Sequence, residues 1–229
     1  MGALFEYHRE ELDPQIRENV RKTLPMLAEM KDAELREKVI DAWALSLQLN
    51  GWTAIEEMPG SGMPEASAIG DQSMHIKVVM STSLSIYRNL KAAYERDFGL
   101  DEDILIACAA LHDVGKPYEY NRTERPKWKD DDKEYGMPNL RHPAYGVFIC
   151  GVCGLPAQVM NVAGYHSPEG RFIKRSAYGE IVHYADDGSW FSLARLCDLN
   201  IPKLSSLRAV QLIWFTCINI EEQSYDSTQ

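Results

Sequence analysis

The chain has 229 residues, of which 45% are apolar and 25% charged, and this is ordinary globular usage. Such a composition excludes a disordered, collagen-like or disulfide-scaffold protein, and the length is sufficient for one buried core. The net charge of −10 argues against extended nucleic acid as a partner.

Neither a targeting segment nor a membrane span is expected. Residues 1–14 lack the basic start and the apolar core of a secretory signal. The apolar stretches 104–111 and 209–220 are too short to cross a bilayer. Five cysteines, an odd number, favour free thiols in a reducing compartment. The sequence therefore predicts a soluble, cytoplasmic protein with no membrane partner.

Apolar residues recur at three- and four-residue spacing along most of the chain, which predicts an all-α fold. An N-terminal helical hairpin is expected first, with one helix from Pro14 to about Met30 and a second that Asp32 caps and that ends at residues 50–51. Residues 58–72 are rich in glycine and proline and predict a long loop.

The middle of the chain predicts two helices and a polar excursion. A long amphipathic helix is expected from Gln72 to about Asp97. Asp101 then caps a helix that is apolar on all sides up to Leu111, which predicts a position at the centre of the domain. Residues 117–141 are polar and predict an exposed segment.

Three more helices are expected before the C-terminal part. They begin near Pro143, at Ala157 and after Ser176, and the last is expected to end at residues 186–187. The apolar stretch 204–220 predicts a helical tail that packs on the body. The whole is expected to form a single domain, composed of N-terminal helices and a loop (1–71), a core (72–190) and a C-terminal helical extension (191–229).

His112 and Asp113 carry the first chemical signal, because they follow directly on the buried helix. An unpaired buried charge is costly, so a buried carboxylate beside an imidazole favours a bound cation. His75, His142 and His166 lie at the starts or ends of neighbouring helices, and Asp186 follows later. Imidazole and carboxylate ligands together suit Fe, Mn, Zn, Ni or Co rather than Ca.

The motif His112-Asp113-Val-Gly-Lys116, with His75 before it and Asp186 after it, resembles the HD superfamily of metal-dependent phosphohydrolases. The presence of His142 and His166 makes it similar to the two-metal, six-ligand subset. The resemblance spans residues 72–190 and implies a single HD-type helical domain. It also implies one metal held by His75, His112, Asp113 and Asp186, and a second held by His142, His166 and a bridging Asp113.

The implied activity is hydrolysis of a small phosphorylated molecule, a nucleotide or dinucleotide, by a hydroxide that two divalent metal ions activate. Asp113 and Lys116 are the expected catalytic residues, and Lys116 is also expected to contact substrate. Further basic residues are candidate phosphate contacts. These are Arg141, Arg171, Lys174 and Arg175.

The same ligand set leaves other functions open. It is similar to that of myo-inositol oxygenase and phosphonate-cleaving oxygenases, in which a di-iron centre activates dioxygen. A non-enzymatic module that contains metal is a third possibility. In a one-metal variant of the hydrolase, His142 and His166 would contact substrate instead of metal. A homodimer formed through the N-terminal hairpin or the tail is also compatible with the sequence.

Some assignments within the pattern stay open. Asp187 is the alternative to Asp186, and His183 is either a supporting residue or a surface histidine. The pair Cys150 and Cys153 has no second pair at zinc-site spacing, which argues against a redox or zinc role.

Overall fold

The computed structural model describes residues 7–60 and 69–199. These residues contain helices and one isolated bridge, between Pro59 and Asp71, and no sheet. The predicted all-α fold class is confirmed. Numbered in chain order, the α-helices of the described residues are α1 (Pro14–Thr23), α2 (Ala33–Leu49), α3 (Gln72–Ala93), α4 (Glu102–Leu111), α5 (Lys116–Glu119), α6 (Glu124–Asp130), α7 (Asp132–Tyr135), α8 (His142–Val152), α9 (Ala157–Tyr165) and α10 (Ala177–Leu196). Short 3-10 helices lie at Arg9–Glu11, Pro25–Glu29, Ile55–Glu57 and Pro168–Phe172.

Helix α4 occupies the centre of the fold, as its all-round apolar sequence predicts. Every residue from Leu105 to Leu111 is buried, and α4 packs against α2, α3 and α9. Helix α8 packs against α9, and the short α5 packs against α8. The C-terminal end of α4 is therefore surrounded by other helices, and residues that follow it are held in the interior.

Aspartate side chains cap the N-termini of α2, α3 and α4. Asp101 accepts hydrogen bonds from the backbone N–H groups of Asp103 and Ile104, and Asp32 accepts one from Leu35. Both caps are as predicted, because a carboxylate at this position satisfies otherwise free N–H groups. Asp71 caps α3 in the same way.

Three predicted helix ends are wrong, two of them in the first half of the chain. The first helix ends at Thr23 rather than near Met30, because Pro25 has no N–H to donate and disfavours helical geometry at Leu24, and a 3-10 helix follows. Helix α3 ends at Ala93 rather than near Asp97.

The polar segment 117–141 is more ordered than its composition predicts. It contains α6, α7 and most of α5. Trp128 is 2% exposed and its ring lies 5.2 Å from that of Tyr118. One buried tryptophan therefore anchors a segment that is otherwise largely exposed.

Helix α10 does not end at residues 186–187 but continues to Leu196. Gly188 lies inside the helix, and no proline follows it before Leu196, so the helix tolerates one weak helix former. This extension continues the helix for nearly three turns beyond Asp186.

The chain divides into two compact units, residues 1–190 and 191–229. The predicted tail 204–220 and residues 61–68 of the predicted loop lie outside the described residues. The single-domain organisation stays a prediction, because most of the second unit also lies outside them. Among the helices that the structure describes, none has the length and apolar character that a membrane span requires.

Candidate metal centre

The centre of the site is the turn after α4, where His112 and Asp113 are 0% and 4% exposed. His112 Nδ1 lies 2.7 Å from the carbonyl oxygen of Ala109. A carbonyl oxygen only accepts, so Nδ1 carries the proton and Nε2 presents its lone pair. The backbone thus fixes the tautomer in which Nε2 can bind a cation.

Two side chains of helix α2 donate hydrogen bonds to the backbone of this region. The Trp43 indole N–H donates to the Ala110 carbonyl oxygen at 2.8 Å, and the Ser46 hydroxyl donates to the Val114 carbonyl oxygen at 2.6 Å. All of these atoms are buried, so the two bonds satisfy buried carbonyl groups at the end of α4 and in the turn that follows it.

His75, His112 and Asp186 form a first cluster of donor atoms, which we name the first donor set. His75 lies in the first turn of α3, and its Nε2 is 3.1 Å from Asp186 Oδ1 and 3.2 Å from His112 Nε2. The three donor atoms lie within 4.8 Å of one another.

Asp113, His142 and His166 form the second donor set. His142 begins α8, and its Nδ1 is 2.5 Å from Glu119 Oε2. His166 follows α9, and its Nδ1 lies 3.1 Å from the carbonyl oxygens of Val162 and Ala163. Both Nδ1 atoms face acceptors, so both Nε2 atoms, 3.4 Å apart, turn their lone pairs toward the same space.

Asp113 lies between the two sets, and its two carboxylate oxygens face different histidines. Oδ1 is 3.2 Å from His142 Nε2 and 3.5 Å from His166 Nε2. Oδ2 is 3.5 Å from His112 Nε2 and 3.6 Å from His75 Nε2. One carboxylate therefore has an oxygen for each donor set.

The donor chemistry of both sets fits divalent transition metals. Each set combines two imidazole nitrogens with a carboxylate, a mixture that suits Fe, Mn, Co, Ni or Zn. Two nitrogen lone pairs that face each other, as in the second set, repel unless a positive charge lies between them. The residues present are thus suited to hold metal.

Two of the histidines are neutral at physiological pH. Burial lowers the pKa of His112 to about 4. Burial, together with the Lys116 ammonium, lowers the pKa of His142 to about 4. Neutral imidazole is the form that binds a metal, so protons do not compete at these two nitrogens near pH 7.

The acidic groups of the site are ionised. Burial raises the pKa of Asp113, but Lys116 and the surrounding imidazoles lower it further, and the net pKa is well below the usual range. For Asp186, the hydrogen bond with His75 likewise outweighs burial and lowers the pKa. The pKa of His75 is raised in turn, because its bond with Asp186 outweighs burial.

The structure adds three supporting residues. The Gln72 amide, fully buried, donates from Nε2 to Asp113 Oδ2 at 2.7 Å. Glu119 accepts from both Nδ1 and the backbone N–H of His142. His183 Nδ1 lies 2.6 Å from the His166 carbonyl oxygen, which is the supporting position considered for it.

Sequence reasoning missed Gln72 and Glu119. Gln72 lies three residues before His75 and so shares its helix face, which is a signal the sequence does contain. Glu119 has no such signal, because the fold alone brings α5 against the start of α8.

A cavity of about 230 Å³ opens onto the two donor sets. It is smaller than the roughly 300–1,000 Å³ of drug-sized ligand pockets, which suits a small substrate group. Its lining comprises Gly60, His75, Asp113, Lys116, Glu119, Tyr120, Arg141, His142, His166, Ser167, Asp186, Asp187 and Trp190.

Of the predicted phosphate contacts, Lys116 and Arg141 lie in this lining. Arg141 donates to Glu119 at 2.8 Å and to Glu169 at 3.1 Å, so carboxylates hold its guanidinium in place. Arg171, Lys174 and Arg175 are not among the lining residues. Arg175 instead donates to the carbonyl oxygens of Tyr165 and Ser167.

The geometry favours Asp186 over Asp187 as the acidic member of the first donor set. The carboxylate against His75 belongs to Asp186, whereas Asp187 lies 3.7 Å from His183 Nε2. Cys150 and Cys153 are buried free thiols at the C-terminal end of α8, away from the cavity lining.

Comparison with known proteins relates the chain to one domain family and one enzyme. The family model of the HD domain matches residues 74–187. Dihydroneopterin 2',3'-cyclic phosphate phosphodiesterase of Methanocaldococcus jannaschii is 29% identical over 175 residues, which cover 73% of this chain and 68% of that protein. No solved structure matches the chain significantly.

Proposed function

The chain belongs to the HD domain family, and we propose on that basis that it is a two-metal phosphodiesterase acting on a small phosphorylated molecule. A nucleotide or a nucleoside 2',3'-cyclic phosphate is the substrate class we favour. The similarity to a cyclic phosphate phosphodiesterase supports hydrolysis over oxygenation, since that relative cleaves a phosphodiester bond.

The position of Asp113 carries the proposal of two metals. Its oxygens face the first and second donor sets separately, at 3.2–3.6 Å from the four imidazole Nε2 atoms. A single metal would use one set and leave the Nε2 atoms of the other set without a cation. Two divalent cations, when bound, supply a nucleophile from water at neutral pH and neutralise charge on the phosphoryl oxygens.

The remaining residues act on the substrate and on the ligands. Lys116 keeps its positive charge, because Asp113 raises its pKa more than burial lowers it. An ammonium in the cavity wall attracts the phosphate and opposes the negative charge that develops during attack. Arg141, held by Glu119 and Glu169, supplies a second, less mobile positive charge at the same wall.

Glu119 orients His142 for its role as ligand. Its carboxylate accepts a hydrogen bond from His142 Nδ1, which turns Nε2 toward the other members of the second donor set. Its other oxygen accepts from Arg141, so one glutamate couples a metal ligand to a phosphate contact.

Elemental analysis and turnover of the full chain test this function. The protein is stripped with chelator, reloaded with Mn, Fe, Co, Ni or Zn, and assayed on nucleoside 2',3'-cyclic phosphates, dinucleotides and dihydroneopterin 2',3'-cyclic phosphate. We expect two metals per chain and hydrolysis that continues without oxygen. Asp113→Ala should lose both metals and all turnover, because a bridging carboxylate serves both ions.

Asp130→Ala, which removes an exposed acid outside the cavity lining, serves as the control and should keep metal and turnover. Retention of two metals by Asp113→Ala would contradict the bridge. Turnover that chelation leaves unchanged would contradict metal dependence, and oxygen uptake without hydrolysis would assign the oxygenase reaction instead.

A further inference from the structure

Trp190 lies in the wall of the cavity that opens onto the donor sets. It is on α10, one turn beyond Asp186, and residues at this spacing share a helix face. The Asp186-to-Trp190 rise is about 6 Å along the axis. This distance is similar to the length of a ribose. A nucleotide whose phosphate lay at the donor sets would therefore have its base near the indole of Trp190.

Of Trp190 and Tyr120, which both line the cavity, Trp190 has the ring that a ligand can contact. Tyr120 is 5% exposed, and Lys116 Nζ and the Arg125 guanidinium each lie 5.4 Å from its ring centroid. Trp190 is partly exposed, and within residues 7–60 and 69–199 its side chain makes neither a hydrogen bond nor a ring contact. An indole face in an otherwise polar cavity is a surface that a planar ligand can cover.

Other residues of the cavity lining are suited to bind a phosphate group on the same ligand. Lys116 and Arg141 are suited to a phosphate, whereas the small volume of about 230 Å³ excludes a large ligand from the interior. A molecule with a phosphate ester at one end and a flat ring at the other would place the phosphate inside and stack the ring on Trp190.

We propose that Trp190 stacks on a planar heterocyclic ring of the substrate and thereby selects nucleotide-like phosphate esters over esters without a ring. The proposal rests on the proposed phosphodiesterase function, which it deepens by assigning the residue that selects the substrate. Trp190 acts in binding, at a distance from the reacting bond.

Two substrates that differ only in the ring test the proposal. One is guanosine 2',3'-cyclic phosphate, and the other is methyl ribofuranoside 2,3-cyclic phosphate, in which a methoxy group replaces the base. Base stacking on an aromatic side chain is worth about 10- to 100-fold in affinity. The wild-type chain should therefore prefer the guanosine ester by about that factor in kcat/KM.

Trp190→Ala should lose most of this preference through a higher KM, with kcat and the ring-free ester changed less than about threefold. Trp190→Phe should retain part of it, because a phenyl ring still stacks. Equal loss on both substrates would assign Trp190 to packing and overturn the proposal, as would an unchanged preference in Trp190→Ala.

Ligand binding separates this proposal from the proposed function. Calorimetric titration with guanosine monophosphate and with ribose 5-phosphate needs no turnover, and only the guanosine ligand should lose affinity in Trp190→Ala. If the wild-type chain hydrolyses neither ester, the proposed function fails, while the titration still supports or overturns stacking. Tyr94→Ala, which removes a 70% exposed ring at the other end of α3, is the control and should behave as wild type.

Discussion

At the scale of single residues, the site depends on how each imidazole is anchored. His112 and His166 donate hydrogen bonds from Nδ1 to backbone carbonyl oxygens, and His142 donates one from Nδ1 to Glu119. Each anchor leaves the Nε2 lone pair available, so three candidate donor atoms are oriented by the protein itself. The sequence predicts these histidines by type and order, but the anchors depend on helix ends and on α5, and no pattern reveals them.

Gln72 gives a residue-scale prediction, because its amide is the hydrogen-bond donor to Asp113 Oδ2. Gln72→Ala should leave the Asp113 carboxylate free to rotate away from the geometry that faces both donor sets. Loss of such a supporting bond costs about 10- to 100-fold in metal affinity. Competition with a chromophoric chelator measures the affinity of each metal.

The control is Gln158→Ala, which truncates an exposed glutamine outside the cavity lining and should bind metal as wild type does. Gln72→Glu should bind worse than wild type, since it places a second carboxylate against Asp113 instead of a donor. A Gln72→Ala protein with unchanged affinity for both metals would show that Asp113 needs no such support.

At the scale of elements, helix starts are more predictable from sequence than helix ends. Asp32 and Asp101 begin helices as expected, because a cap satisfies local N–H groups whatever the tertiary context. The end of α10 was expected at residues 186–187 because of Gly188, yet the helix continues. A glycine only weakens a helix, and tertiary packing can outweigh that cost. Because the predicted end at residues 186–187 precedes Trp190, the sequence does not place Trp190 on the same helix as Asp186.

The close approach of α8 to the turn after α4 gives an element-scale prediction. A Cβ at Gly115 would lie 2.0 Å from the His142 carbonyl oxygen and 2.8 Å from the Gly146 nitrogen. Gly115→Ala should therefore push α8, and His142 with it, away from Asp113. We expect a loss of about 1–3 kcal/mol in the free energy of unfolding and weaker binding at the second donor set.

Gly188→Ala is the matched control, because a Cβ there meets no atom of the described residues within 4 Å. Inside a helix, alanine should raise the free energy of unfolding by about 0.5–1 kcal/mol. Denaturant titration compares the two variants. Equal stability of Gly115→Ala and wild type would contradict the close packing of α8 on this turn.

At the scale of the whole molecule, five separate segments bring four imidazoles and two carboxylates to one place in the first unit. Residue types and their order predict that these six side chains meet, since metal chemistry restricts which side chains serve, and their role as metal ligands stays a prediction. Their division into two sets around Asp113 is a property of the packed helices, because spacing along the chain does not determine which nitrogens face which oxygen.

Because these buried, partly charged groups could hold metal, we expect the stability of the chain to depend on metal. A cation that binds the folded state alone stabilises it by about 2.7 kcal/mol at a concentration 100 times its Kd. For a chain of this size, that corresponds to a rise in Tm of about 5–10 °C. Thermal unfolding with chelator and with saturating Mn or Zn should show this shift, whereas Asp113→Ala should show little of it. If wild type unfolded at the same temperature with chelator and with saturating metal, the folded chain would gain nothing from metal binding, and this prediction would fail.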